Sequence, residues 1–386
     1  MKRSTITSAV LALAAALAGT AAAAGPAAAA APVVARELDG VSCVRADDCM
    51  AVGIGGNAFP LAETWNGRAW RTVPVTVPPG ATAGALRGVS CTAKARCVAV
   101  GYYDTGPGRQ FALAEAWNGA AWTPAQPPAP GGPYTALDGV SCASAAHCVA
   151  VGLYQMPSQA SGPLAETWNG QQWTRTSPAA STGGFGVSSL NAVSCTSTAR
   201  CVAVGTPLAT RSVVVIERWN GAAWLPEQGA AVPGDLAAVL TGVSCHSARS
   251  CVAVGFGTNA TGQASISEIW NGMSWRYAAV PLQGTGTGGS LLSGVSCAAA
   301  RRCAAVGYTA SPDTQQAVAL TWNGRAWAVT AVPVAGSGNA SQFSAVTCRS
   351  AARCVAAGQA GPLGSVNSSA LTGFWNGHCW HLITAQ

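Results

Sequence analysis

Seven copies of one unit of about 50 residues predict an all-β chain, a seven-bladed β-propeller of four-stranded antiparallel blades with one disulfide per blade. Each copy carries two cysteines six positions apart and a Trp-Asn-Gly-x-x-Trp signature. The opening motif, Leu38-Asp-Gly-Val-Ser-Cys43, returns at Leu86, Leu137, Leu190, Leu240 and Leu292, and in a worn form at Phe343. First cysteines step by 48, 51, 53, 50, 52 and 51 residues, above the WD40 range and within that of kelch-type blades. A linear solenoid would use shorter coils and atypical end repeats, and neither is present.

Each element follows from its residues. Strand A is the L-x-G-V-S-C segment and strand B the C-V-A-V-G run. Strand C ends at the first Trp, and strand D starts at the second. Val, Ala, Cys and Trp dominate these runs with little polar alternation, the pattern of sheets covered on both faces. The Asn-Gly between the tryptophans marks the C–D hairpin. Closing seven such sheets into a ring protects their edges. The first copy opens on strand A and the seventh ends on strand D, so each blade uses contiguous sequence unless Val33–Glu37 adds a short edge. The blades are expected at 36–80, 81–131, 132–184, 185–234, 235–286, 287–337 and 338–386.

The V-S-C-x5-C-V-A-V-G … E-x-W-N-G-x-x-W unit resembles the cysteine-paired repeats of secreted propeller proteins from GC-rich Gram-positive bacteria. It is also loosely similar to kelch and Asp-box propellers, departing from kelch in its single Gly after strand B and from the Asp box in lacking S-x-D-x-G-x-T-W. The resemblance covers residues 36–386 and implies the fold and an extracellular setting. It implies no activity.

Before the repeats, Lys2 and Arg3 precede an apolar stretch from Ile6 to Ala24 and an Ala-rich run with A-x-A cleavage frames. This reads as a secretory signal peptide at 1–30, followed by a short segment at 31–35. No later run is long and apolar enough for a membrane span. The expectation is a secreted, extracellular protein, monomeric unless Cys379 links two chains. In that setting the paired cysteines read as disulfides: Cys43–Cys49, Cys91–Cys97, Cys142–Cys148, Cys195–Cys201, Cys245–Cys251, Cys297–Cys303 and Cys348–Cys354. Each should contribute about 2–2.5 kcal/mol by closing a short loop of the unfolded chain. C-x-x-C spacing is absent, which removes the usual zinc and redox readings.

All 14 tryptophans occupy two repeat-fixed positions and are expected to pack blade on blade. Glu63, Glu115, Glu166, Glu217 and Glu268 recur two residues before the first Trp. Four of them are expected to form ion pairs with the basic residue ahead of the second Cys in the next blade: Glu63–Arg96, Glu115–His147, Glu166–Arg200 and Glu268–Arg302. His378, Cys379 and His381 occupy variable positions of the last Trp turn, so no metal or other cofactor is expected.

Two classes of function are compatible with such a ring. A non-catalytic binding or scaffold protein for a glycan, a protein or a cell-envelope ligand is expected. A glycoside hydrolase or lyase is the alternative, but the non-repeated acids are scattered over different blades and no catalytic motif appears. The chain has a formal net charge of +7 without a basic run, which argues against a nucleic-acid partner. A–B and C–D turns are constant in length, whereas the span from the strand-B Gly to the first Trp varies as 12, 16, 16, 14, 15, 15 and 17. Variable loops on a rigid frame carry specificity. The short loop of blade 1 should leave a notch walled by Tyr102, Tyr103, Asp104 and Arg109 of blade 2, the expected ligand contacts.

Overall fold

The computed structural model describes residues 36–384, apart from 129–131, 156–160, 179–180, 183–184, 209–213, 235–236, 260–261, 283–288, 336–337 and 366–367. The expected signal peptide and the segment 31–35 lie outside the described residues. Blade 1 consists of strand A (Glu37–Arg45), strand B (Asp48–Ile54), strand C (Pro60–Trp65) and strand D (Trp70–Val73), in that spatial order. Six more antiparallel blades repeat it, with strand A at Ala83–Ala93, Tyr134–Ser144, Phe185–Ser197, Ala237–Ser247, Ser290–Ala299 and Ala340–Ser350. A two-residue strand, Ser181–Thr182, additionally pairs with the start of strand A in blade 4.

The core lies between blades rather than within them. A single sheet has two apolar faces to cover, and each neighbour covers one. The motif residues Leu38, Leu86, Leu137, Leu190, Leu240, Leu292 and Phe343 are completely buried. The cluster around Leu38, Leu61 and Trp65 of blade 1 takes in Val355, Ala357 and Ala370 of blade 7, so the ring closes face to face. The Ser of V-S-C adds a polar tie. Ser42 Oγ accepts the Cys91 N–H at 3.0 Å, and Ser90, Ser141, Ser194, Ser244 and Ser296 each accept from the first cysteine of the following blade. All seven expected disulfides are present, each joining directly opposed residues of strands A and B.

Strand A carries a β-bulge at the same place in every blade. In blade 1, Leu38 faces Gly53 and Gly40 faces Val52, leaving Asp39 without a partner on strand B. Its counterparts are Arg87, Asp138, Asn191, Thr241, Ser293 and Ser344. The bulge presses a carbonyl onto strand B, so a Cβ on Gly53 would lie 1.8 Å from the Glu37 oxygen. That contact accounts for the Gly ending C-V-A-V-G. The Gly of L-x-G meets a looser limit, 3.1 Å from the Arg87 carbonyl at Gly40, and Ala192 and Ala345 occupy that position in blades 4 and 7.

The two tryptophans of each blade oppose one another across the C–D hairpin, as Trp65 and Trp70 do with ring centroids 5.4 Å apart. The connection is a four-residue loop in which Asn66 Oδ1 accepts the N–H groups of Arg68 and Ala69 while Gly67 supplies φ +89°. The second Trp reaches the preceding blade. Trp224 Nε1 donates to Thr176, Trp275 to Glu227, Trp327 to Ser267, Trp380 to Thr330 and Trp70 to Thr372. Trp122 and Trp173 bury this N–H without an acceptor, because Val73 and Ala62 in blade 1, and Ala125 and Ala114 in blade 2, stand at both acceptor positions. Val73→Thr and Ala125→Thr should each therefore raise stability by about 1 kcal/mol. Urea unfolding of the two variants checks this, and an unchanged midpoint would refute it.

Candidate functional site

Seven strands A line the axis of the ring, each touching the next at the L-x-G step. The bulge leaves this residue without a backbone partner on strand B, which turns its side chain toward the axis. Asn191 Nδ2 donates to the Leu240 carbonyl at 2.8 Å and Thr241 Oγ1 to the Leu292 carbonyl at 2.6 Å, so bulge residues interact from blade to blade. Arg87 Nε lies 3.5 Å from Asp138 Oδ1. Asp39, Arg87, Asp138 and Asn191 line a cavity of about 390 Å³ together with Tyr134 and Ser189. The bulge precedes the apolar part of strand A, which places this mouth on the face of the variable loops.

The mouth is electrostatically uneven. Blades 1–3 contribute Asp39, Arg87 and Asp138, whereas blades 4–7 contribute the neutral Asn191, Thr241, Ser293 and Ser344. Burial pushes the Asp39 carboxyl up to about 7, helped by Glu37 and Asp138 and opposed by Arg87. Burial also raises Asp138, with Arg87 pulling the other way. The Arg87 guanidinium sits over the Tyr102 ring, 5.1 Å from its centroid.

The four expected contact residues do not form one wall. Tyr102, Tyr103 and Asp104 continue strand B of blade 2 (Arg96–Asp104), where successive side chains point to opposite faces. Tyr102 joins the mouth beneath Arg87. Tyr103 packs on Phe111 at 5.6 Å and against the core between blades 1 and 2. Asp104 accepts a hydrogen bond from Gln110 at 3.1 Å, and Arg109 is exposed on the following loop. The mouth residues Asp39, Arg87, Asp138 and Asn191 were discernible only as the most variable position, the x, of the L-x-G-V-S-C motif.

The expected glutamate ion pairs are not formed. Each Glu sits mid-strand opposite an alanine of strand B, between blades, while the basic residue ahead of the second Cys lies out in the A–B turn. Glu63 pairs with Arg36 at 3.1 Å instead. Glu115, Glu166 and Glu268 are completely buried; Glu268 accepts the Ala230 N–H, whereas both carboxylate oxygens of Glu115 and of Glu166 lack a hydrogen-bond partner. Burial raises Glu115 and Glu268 to about 7 and Glu166 to about 8. In blade 6 the position holds the buried Leu320, and in blade 7 Gly373 makes room for Phe343.

Cys379 is exposed and free, its Sγ 3.3 Å from His381 Nε2. Among the described residues no group of three His, Cys, Asp or Glu is placed to hold a metal, and no helix is long and apolar enough to cross a membrane. Of the solved structures, YCF48 bound to D1 peptide is similar with a TM-score of 0.52 and 13% identity, over 89% of this chain and 94% of that one. The fold is that of a β-propeller. YCF48 from Cyanidioschyzon merolae is similar at a TM-score of 0.48 and 11% identity, over 84% and 94% of the two chains. A fucose-specific lectin from Aleuria aurantia is similar at 0.41 and 12%, over 76% and 94%. At such identities the likeness extends to the propeller alone. No protein-family model and no curated protein matches the chain.

Proposed function

We propose that the protein is a secreted, non-catalytic β-propeller that binds an extracellular glycan or protein ligand at the axial mouth on the variable-loop face. One observation carries this reading: every blade uses a bulge to turn one side chain to the axis, and that position varies most within the motif, from Asp and Arg to Asn, Thr and Ser. Seven disulfides and the N-terminal segment 1–30 support secretion, after cleavage near residue 30. Tyr102 belongs to the binding surface, and Asp104 and Arg109 extend it over the neighbouring loop, whereas Tyr103 serves the core. The similarity to YCF48 bound to D1 peptide is compatible with a peptide ligand and does not select one.

Glycan and peptide arrays probed with the wild-type protein and with Arg87→Ala test the site. A neutral glycan or a peptide found to bind should bind the variant at least tenfold more weakly, about 1.4 kcal/mol, at unchanged melting temperature. Equal affinity would remove the mouth from the binding surface. The enzymatic alternative has one observation in its favour, an Asp39 carboxyl near neutrality beside a second acid and an arginine. Release of reducing sugar from a polysaccharide panel, abolished by Asp39→Asn, would establish that alternative.

A further inference from the structure

The opposite face of the ring has a different character. In each blade the Gly of the C–D turn rests on the A–B turn, as a Cβ on Gly119 would lie 2.7 Å from that of Ala95 and one on Gly221 2.8 Å from that of Ala199. Both turns of all seven blades therefore form one surface. Blade 1 places Arg45 and Arg68 there, and blade 2 places Lys94 and Arg96. Blades 4 and 5 contribute Arg200 and Arg249. Blade 6 presents Arg301, Arg302 and Arg325, and blade 7 presents Arg349 and Arg353. All of these cations are exposed, and none takes part in an ion pair among the described residues. The turns hold only two acids, Asp47 and Asp48, both in blade 1, and Glu227, paired with Arg218, lines the recess between blades 4 and 5. Along the chain the cations are scattered at the repeat period, so no basic run is visible. Ring closure gathers them.

Recesses open between the blades on this same surface. Those between blades 4 and 5, 2 and 3, and 7 and 1 measure about 510, 300 and 410 Å³. The residue ahead of the second Cys stands in each, as Arg200, Arg96 and Arg353, beside the first Trp and the turn Asn of its blade. Trp270 leaves part of its indole uncovered in the first of these recesses, and Trp168 does so in the second.

We infer that the turn face binds an anionic polysaccharide, its carboxylate or phosphate groups meeting the arginines of successive blades while sugar rings seat in the recesses between them. The cations alone would serve any polyanion. Recesses lined by an arginine, a turn Asn and a tryptophan, with an indole partly uncovered in two of them, fit sugar rings. They add nothing to contact with a DNA backbone or a lipid headgroup plane. The arc from blade 4 to blade 7 is the continuous part of the surface, since blade 3 offers only His147 and blade 1 carries both acids. Binding therefore strengthens with polymer length as the arginines of more blades are engaged.

This inference is independent of the axial mouth, and its test uses the intact protein. Polygalacturonate should bind at low salt, weaken steeply as NaCl rises, and bind more tightly as a long polymer than as a trimer, while neutral dextran of matched length does not bind. Arg302→Glu combined with Arg353→Glu should lower affinity at least tenfold. Arg302→Lys with Arg353→Lys should retain most of it. Circular dichroism and melting temperature establish that the glutamate pair remains folded; if it does not, Arg302→Gln with Arg353→Gln replaces it with the same expected loss. Absence of polygalacturonate binding at low salt overturns the inference. So does equal or tighter binding of a DNA duplex, or of phosphatidylglycerol vesicles, at the same anionic charge concentration.

Discussion

Alanine at Gly205 is expected to destabilise the protein by about 3 kcal/mol or more, while alanine at Gly242 costs less than about 1 kcal/mol. Both glycines belong to repeat motifs, and composition does not separate them. A Cβ on Gly205 would stand 2.0 Å from the Ser189 carbonyl oxygen, a backbone atom fixed by the bulge and unable to move without unpairing strands A and B. At Gly242 the nearest atom is the Gly294 Cα at 3.1 Å, and Ala192 and Ala345 already fill the same position in two blades. There the small strain is offset by the reduced freedom of the unfolded chain. Urea unfolding with the disulfides intact measures both. Similar midpoints for the two variants would show that the bulge is not what requires the strand-B glycine.

Glu166→Leu should stabilise the protein by a few kcal/mol at pH 8 and remove part of a marked acid preference. The sign follows from the titration. Folded Glu115, Glu166 and Glu268 hold their protons up to about 7, 8 and 7, against an ordinary value of 4.5. Between about pH 4.5 and 8 the folded protein binds more protons than the unfolded chain, so stability is greatest below that window and declines as pH rises through it. Each unit of elevation corresponds to about 1.4 kcal/mol, and Asp39, raised to about 7, acts in the same direction. Leu has a precedent in Leu320, which fills the same slot in blade 6 without exposure. Glu166→Gln tests the charge alone: it should raise the melting temperature at pH 8 and change it little at pH 5. A melting temperature that rises steadily from pH 5 to pH 8 in the wild-type protein would contradict this account.

The repeat made the architecture legible. Cysteine spacing, the period and the paired tryptophans specify local hairpins, and a hairpin's register is a short-range property of its turn and its opposed residues. The disulfides could be assigned for the same reason, since Cys43 and Cys49 meet through six residues of chain. The glutamate ladder shows where such reasoning stops. Four of its five members have a basic residue at the matching place of the next unit, which predicts ion pairs, yet spacing in sequence does not say whether a side chain points between blades or into a turn. Tyr102 and Tyr103 make the same point on a smaller scale: adjacent in one strand, they serve opposite faces of the sheet.

By itself the sequence determined the seven units, their four strands, the disulfides and the in-phase order of the blades, because each rests on contacts within about 50 residues. The tertiary structure alone decided what the ring brings together from different units. Asp39, Arg87 and Asp138 become one mouth only because the bulge of each strand A turns them to a shared axis. The arginines of blades 4–7 become one basic surface only because every A–B and C–D turn ends on the same side. Periodicity fixes what each unit is, and closure of the ring fixes which units face the same solvent.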